Sequence, residues 1–233
     1  MKMKTQFVLI GTLVIETLAP ANRLSGAGFQ NLDFEAANVP ITSPGQFGGY
    51  VSANAALPGW TVWIGSNQTS QVLHNNLSLG TAVVNIFGPN LFDYVIEGRY
   101  SVGFYPGTDP DNSLSLVTVS LGQTGLIPSG TKSLLFTALF TPNLPGAENR
   151  MGVFVDDQRL NVVALETGVG FTTYAADVSA YANQERLLRF TAYSPFCQLD
   201  SIRFEVPEAT PLVFALWGGL LFGTFRVVRR LRK

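Results

Sequence analysis

The run Ser201-Ile202-Arg203-Phe204-Glu205-Val206 alternates apolar and polar residues without a break, and its reading sets the fold class. Successive side chains of an extended strand point to opposite faces. Ile202, Phe204 and Val206 therefore share one face, and Ser201, Arg203 and Glu205 the other. The same period of two recurs upstream. Leu134, Phe136, Ala138 and Phe140 alternate after Lys132, Leu188, Phe190 and Ala192 alternate with Arg189, Thr191 and Tyr193, and Tyr100, Val102 and Phe104 alternate with Ser101 and Gly103. Each stripe fits a strand with one face on a core. The run from Ser113 to Leu121 changes phase between Leu116 and Val117, which marks a bulge or bend. Met151 to Val155 and Leu160 to Leu165 flank Asp156-Asp157-Gln158-Arg159 and read as a hairpin. Pro58-Gly59, Pro106-Gly107, Pro128-Ser129-Gly130 and Pro145-Gly146 punctuate the rest, and one helical turn fits near Val178 to Ala182. Many short strands at this spacing predict an all-β chain folded as a β-sandwich.

The two ends differ from this body. Lys2 and Lys4 precede the apolar run Phe7 to Ile15, and Ser25-Gly26-Ala27 offers small residues before a cut at Gly28. Residues 1–27 therefore read as a secretory signal peptide. At the other end, Ala209 through Phe225 is 17 residues without a charge. That is the short limit for a helix crossing a bilayer core of ~30 Å. Arg226, Arg229, Arg230, Arg232 and Lys233 follow, five of the fifteen Lys and Arg of the chain. By the positive-inside rule this basic anchor stays in the cytoplasm and the body lies outside. The expected organisation is a signal peptide (1–27), a sandwich domain (28–205) and a tail (206–233) with a single C-terminal transmembrane helix.

Without its ends the chain is acidic. Residues 28–207 hold seven Lys/Arg and fourteen Asp/Glu, against a net charge of −1 for the whole chain. A body with no basic patch is a poor partner for nucleic acid. Cys197 stands alone, so no internal disulfide can form, and a small buried hydrophobe is its expected role.

The tail resembles the Pro-Glu-Pro C-terminal sorting domains (PEP-CTERM). Those carry Val-Pro-Glu-Pro, a Gly- and Leu-rich membrane helix and a terminal Arg cluster. Val206, Pro207 and Glu208 match the motif, and Ala209 stands where the second proline is expected. The resemblance implies an exosortase-type membrane peptidase as partner and delivery to the cell envelope or extracellular matrix. It also implies a Gram-negative-type bacterium that makes extracellular polysaccharide.

The body carries a second resemblance. Phe29-Gln30-Asn31-Leu32-Asp33-Phe34-Glu35 opens it, Leu57-Pro58-Gly59-Trp60-Thr61-Val62 follows, and Leu199-Asp200-Ser201-Ile202-Arg203-Phe204 closes it. That order is similar to galactose-binding-like jelly rolls, the outline shared by many carbohydrate-binding modules. The resemblance implies a jelly-roll sandwich, in which Glu35 and Asp200 match the acids that help hold a structural Ca²⁺. No other cofactor is called for.

Candidate chemistry is sparse. His74 is the only histidine, no Gly-x-Ser-x-Gly elbow is present, and one His with one Cys cannot build a usual structural zinc site. Carboxylates are scattered: Asp93, Glu97, Asp109, Asp111, Asp156, Asp157, Glu166 and Asp177. A glycosidase needs two across a cleft. Asp109-Pro110-Asp111-Asn112 reads as a turn. Trp60 and Trp63, three apart in a strand, face opposite sides, so one is core and the other nearer solvent. Trp60, Trp63, Tyr50, Tyr94 and Tyr105 are the aromatics that could stack on a sugar. The leading expectation is a non-enzymatic exported surface or matrix protein, sorted and processed through its tail. The alternative is a glycan-binding module of the same fold with extracellular polysaccharide as partner, and the third reading is a polysaccharide hydrolase.

Overall fold

The computed structural model describes residues 28–91, 95–112, 114–141, 147–193 and 196–207. The expected signal peptide (1–27), Tyr94, Asp93, Glu208, Ala209, the expected transmembrane segment and the basic residues Arg226, Arg229, Arg230, Arg232 and Lys233 lie outside the described residues. Among the described residues no helix is long and apolar enough to cross a membrane.

In chain order the strands are β1 (Tyr50–Ser52), β2 (Thr61–Ile64), β3 (Asn67–Thr69), β4 (Gln71–His74), β5 (Val83–Phe87), β6 (Ser101–Tyr105), β7 (Gly107–Thr108) and β8 (Leu116–Val117). They continue as β9 (Val119–Leu126), β10 (Ser133–Phe140), β11 (Met151–Val155), β12 (Gln158–Arg159), β13 (Val162–Thr167), β14 (Thr172–Asp177), β15 (Glu185–Ala192) and β16 (Cys197–Glu205). Eight form a larger sheet in the order β1-β4-β5-β6-β16-β10-β14-β13, and six a smaller one in the order β12-β11-β15-β9-β2-β3. Neighbours run antiparallel except the parallel pair β4 and β5. β7 and β8 make a separate ribbon.

The expected stripes face one core between the sheets. Leu134, Phe136, Ala138 and Phe140 of β10 point inward, as do Val102 and Phe104 of β6 and Leu188, Phe190 and Ala192 of β15. Phe136 from the larger sheet meets Phe190 from the smaller at 5.3 Å between ring centroids, edge to face. Trp60 packs on Phe190 at 6.5 Å and on Phe34 at 5.8 Å. Burying each such side chain stabilises the fold by about 1.5–3 kcal/mol. Two layers sharing these rings are a β-sandwich.

Four local details differ from the sequence reading. β16 stops at Glu205, and Val206 is 47% exposed rather than on the core stripe. β11, held on one side by β15, turns through Asp156 and Asp157 and on its other side pairs with Gln158 and Arg159 of β12. Asp156 adopts φ +53°, which suits a two-residue hairpin loop. The chain then crosses to the larger sheet, so Val162–Thr167 pairs with β14 and not with β11. The strand is interrupted at Thr118, between β8 and β9, with Leu116 exposed and Val117, Val119 and Leu121 turned to the core. A short helix, Ala53–Ala56, also forms where no periodicity marked one. The turn near Val178 is a 3-10 turn over Ser179–Tyr181.

A fifth detail matters for function. The pairing of β16 with β10 slips between Leu135 and Thr137, and Ser201 takes φ +49°. This bulge reverses the alternation. Ile202 faces the core, and so do Leu199 and Cys197, while Asp200 is turned to the outer face opposite Thr137.

Candidate functional site

The aromatics named from sequence separate into three places. Trp60 is 6% exposed in the core and donates its indole N–H to the Asn31 carbonyl at 2.9 Å. This corrects its listing as a sugar-stacking candidate, because the ring is walled in by Phe34 and Phe190. Trp60→Phe removes that hydrogen bond and some ring volume, at about 2 kcal/mol. A fall in melting temperature of about 4–8 °C with glycan binding unchanged is the expected result. Trp63 lies on the outward face of the smaller sheet, paired with Ser120, and a Cβ added at Gly122 would sit 3.0 Å from its ring. Tyr50 and Tyr105 lie on the outward face of the larger sheet.

That last face carries a continuous row. Tyr50 pairs with Leu73, Leu73 with Asn85, Asn85 with Gly103, Gly103 with Gln198, and Gln198 with Leu139. None of these six belongs to the core between the sheets. From β1 to β6 the row spans three strand spacings, ~14 Å. Gly103 leaves a gap in the middle that rings fill, and a Cβ there would collide with Phe87 and press on Phe196. Phe196 stands edge-on to Phe87 at 6.1 Å and lies against Tyr105 at 4.6 Å. Phe87 is fully buried, Tyr105 and Phe196 are half-buried, and Tyr50 is 61% exposed. Beneath them Asn85 donates to the Asn76 carbonyl, while its Oδ1 is buried without a hydrogen-bond partner. An unmet acceptor under an aromatic shelf is costly unless something else completes it.

The sequence reading reached Tyr50 and Tyr105 by residue type but missed Phe196, Asn85 and Gln198. One signal was available. A glycine inside an apolar strand, as at Gly103, marks a close approach by another group.

The acids Glu35 and Asp200 meet the same loop from two sides. Glu35 Oε1 accepts the N–H groups of Arg99 at 2.7 Å and Tyr100 at 3.0 Å. Asp200 Oδ2 accepts the Glu97 N–H at 3.1 Å and the Ser101 hydroxyl at 2.6 Å, and its Oδ1 accepts the Ser201 N–H at 2.7 Å. Ser201 in turn donates its hydroxyl to Glu97 at 2.6 Å. Residues 96–101 are thus latched between two carboxylates, and Gly98 at φ +65° has no room for a Cβ beside Glu35. Asp200 is 1% exposed. Burial pushes its carboxyl up to about 7 from an ordinary 3.8, against the hydrogen bonds from Ser101, Ser201 and Glu97.

For a cation this arrangement is incomplete. The Asp200 oxygens and Glu35 Oε1 already accept donors, and among the described residues no group of three or more His, Cys, Asp or Glu could hold a metal ion. His74 ends β4 in a buried position, with Nε2 2.9 Å from the Gly88 carbonyl. Cys197 is fully buried, and burial pushes its thiol well above the ordinary range, so it behaves as a small core hydrophobe. Asp109 accepts the Asp111 N–H at 2.9 Å in the expected turn.

No family model matches the chain, and no curated protein matches it. Two solved structures are similar in outline. One is the enzymatically active domain of bacteriophage CBA120 tailspike protein 4, at 15% identity and a TM-score of 0.35, over 74% of this chain and 22% of that one. The chain thus spans under a quarter of the tailspike chain. The other is a carbohydrate-binding module with specific mannan recognition, at 10% identity and a TM-score of 0.32, over 68% of this chain and 96% of that one. Both superpositions are loose, and the functional reading rests on the geometry above.

Proposed function

We propose that the chain is a non-enzymatic carbohydrate-binding β-sandwich of jelly-roll type that works outside the cytoplasm, with extracellular polysaccharide as its ligand. The observation that supports this is the outward face of the larger sheet: Tyr50 in the row through Gly103, and Tyr105 and Phe196 beside it, offer ring surface, with the unmet Oδ1 of Asn85 buried beneath. A sugar is amphipathic in the same way, with C–H groups for rings and hydroxyls for amides. Against the hydrolase reading, Asp200 is the one carboxyl among the described residues raised toward neutrality, and it is sealed under its own loop. The experiment is a glycan array with the purified protein, followed by titration calorimetry on each hit. Binding without bond cleavage is expected. Turnover of a bound polysaccharide, abolished by one carboxylate substitution, would replace this reading with the hydrolase.

Delivery is a separate part of the proposal. The final strand ends at Glu205, and Val206 is exposed beside the turn at Gly130. Val206, where the proposed sorting motif starts, thus lies at the surface of the domain. Export, anchoring with the body outside, and processing by an exosortase-type peptidase are tested by mass spectrometry of the mature C-terminus in fractionated cells. An intact Lys233 in the mature protein would remove processing.

A structural Ca²⁺ at Glu35 and Asp200 is likewise a proposal, supported by the buried Asp200 carboxylate, which has no basic side chain bonded to it. Calcium draws on backbone carbonyls as well as carboxylates. On this proposal EDTA lowers the melting temperature at pH 8 by several degrees and added Ca²⁺ restores it. An unchanged melting temperature rules the ion out.

A further inference from the structure

We infer that a second cleft, at the β13–β14 edge of the sandwich, takes an acidic sugar, one that carries a carboxylate. The cleft has a volume of about 840 Å³, within the range of small-ligand sites. It is separate from the aromatic row: Ala175 on its floor is three strand spacings, ~14 Å, from the strand of Gly103. Lys132 and Arg159 stand on its walls. The body is strongly acidic, yet two of its seven cations line this cleft against one of its fourteen acids, Asp177. The sign of the surface is therefore reversed here.

Neither cation is in an ion pair among the described residues, where the recorded pairs join Arg186 to Asp156 and Arg189 to Asp157. Among the described residues Arg159 has long contacts, 3.5 Å to the Asn149 carbonyl and 5.7 Å to the Tyr193 ring. Lys132 has its backbone fixed on both sides. Its N–H donates to the Glu205 carbonyl at 2.9 Å, and its carbonyl accepts the Val178 N–H at 3.0 Å. The other lining groups suit a sugar better than a bare anion. Val163, 48% exposed, and Tyr181 give apolar surface, and Asn161 can donate and accept. Asp177 remains ionised, held low first by its hydrogen bonds from Ser179, so it serves as an acceptor for hydroxyls. A carboxylate against Lys132 and Arg159 completes the set.

The inference rests on the carbohydrate reading for the ring and on the two cations for the acid group. Its test uses the full chain in mild detergent, titrated with short oligomers of galacturonate, glucuronate and mannuronate. The methyl ester of each serves as the uncharged control. The expected result is that at least one free acid binds about tenfold or more tightly than its ester. That preference shrinks with added salt, collapses in the Lys132→Ala/Arg159→Ala double variant, and returns in part with Lys132→Arg. Tyr105→Ala, on the separate row, is expected to leave the preference for acid over ester unchanged. Equal binding of acid and ester, a preference that survives the double variant, or no binding of any uronate overturns the inference. Neutral glycan binding that depends on Tyr105 in the same preparation would still leave the proposed function standing.

Discussion

Asp200→Ala is expected to lower the melting temperature by about 10 °C, among the largest single effects in the molecule. The substitution removes the acceptor for the Glu97 N–H, the Ser101 hydroxyl and the Ser201 N–H at once. Each buried donor left unmet costs about 1–3 kcal/mol. The serine hydroxyl can rotate to another partner, which brings the sum to about 3–4 kcal/mol. For a domain of this size 1 kcal/mol moves the midpoint by about 2–4 °C. Loop 96–101 should also lose hydrogen-exchange protection, because only Glu35 would still hold it.

The same residue sets a pH dependence. Its folded pKa of about 7 lies above the ordinary 3.8. Between those values the folded state keeps a proton that the unfolded state releases, so stability falls as pH rises through that window. The contribution is fully present below about pH 4 and lost by about pH 7. Thermal melts in EDTA, from pH 4 to pH 8, should show this decline in the wild type, and Asp200→Asn should remove that component. A wild-type profile rising over the window would contradict the burial argument.

Tyr105→Ala is expected to weaken glycan binding by about tenfold or more with little change in fold. A stacked ring contributes about 0.5–1.5 kcal/mol beyond its buried area, and tenfold is 1.4 kcal/mol. Tyr105 also supports Phe196 at 4.6 Å, so its loss loosens the shelf as well as removing a contact. Tyr50→Ala, at the far and more exposed end of the row, should cost less. Trp63→Ala is the control, because that ring is on the outward face of the opposite sheet.

Much of this architecture was legible in local pattern. The stripes through Phe136, Phe104 and Phe190 reached the core as read, since a period of two is enforced by burial on one face. What local pattern could not carry was register and its exceptions. Strict alternation back from Ile202 would have put Asp200 in the core, and the bulge at Ser201 turned it to the loop it now holds. Leu160 to Leu165 reads as the return arm of a hairpin until Asp156 closes the turn after two residues. The row from Tyr50 to Gln198 joins five strands drawn from across 150 residues of chain, and no short window contains it. Tyr50 and Tyr105 were found by residue type, but Asn85 and Phe196 became meaningful only as their neighbours.

The central claim is that sugar sits on the outward face of the larger sheet, over Gly103. Amide NMR of the isotopically labelled protein, titrated with an oligosaccharide hit from the array, tests it most directly. The account predicts shifts concentrated at Tyr50, Asn85, Gly103, Tyr105 and Gln198. Shifts centred on Trp63 and Gly122, or none at saturating ligand, would contradict it.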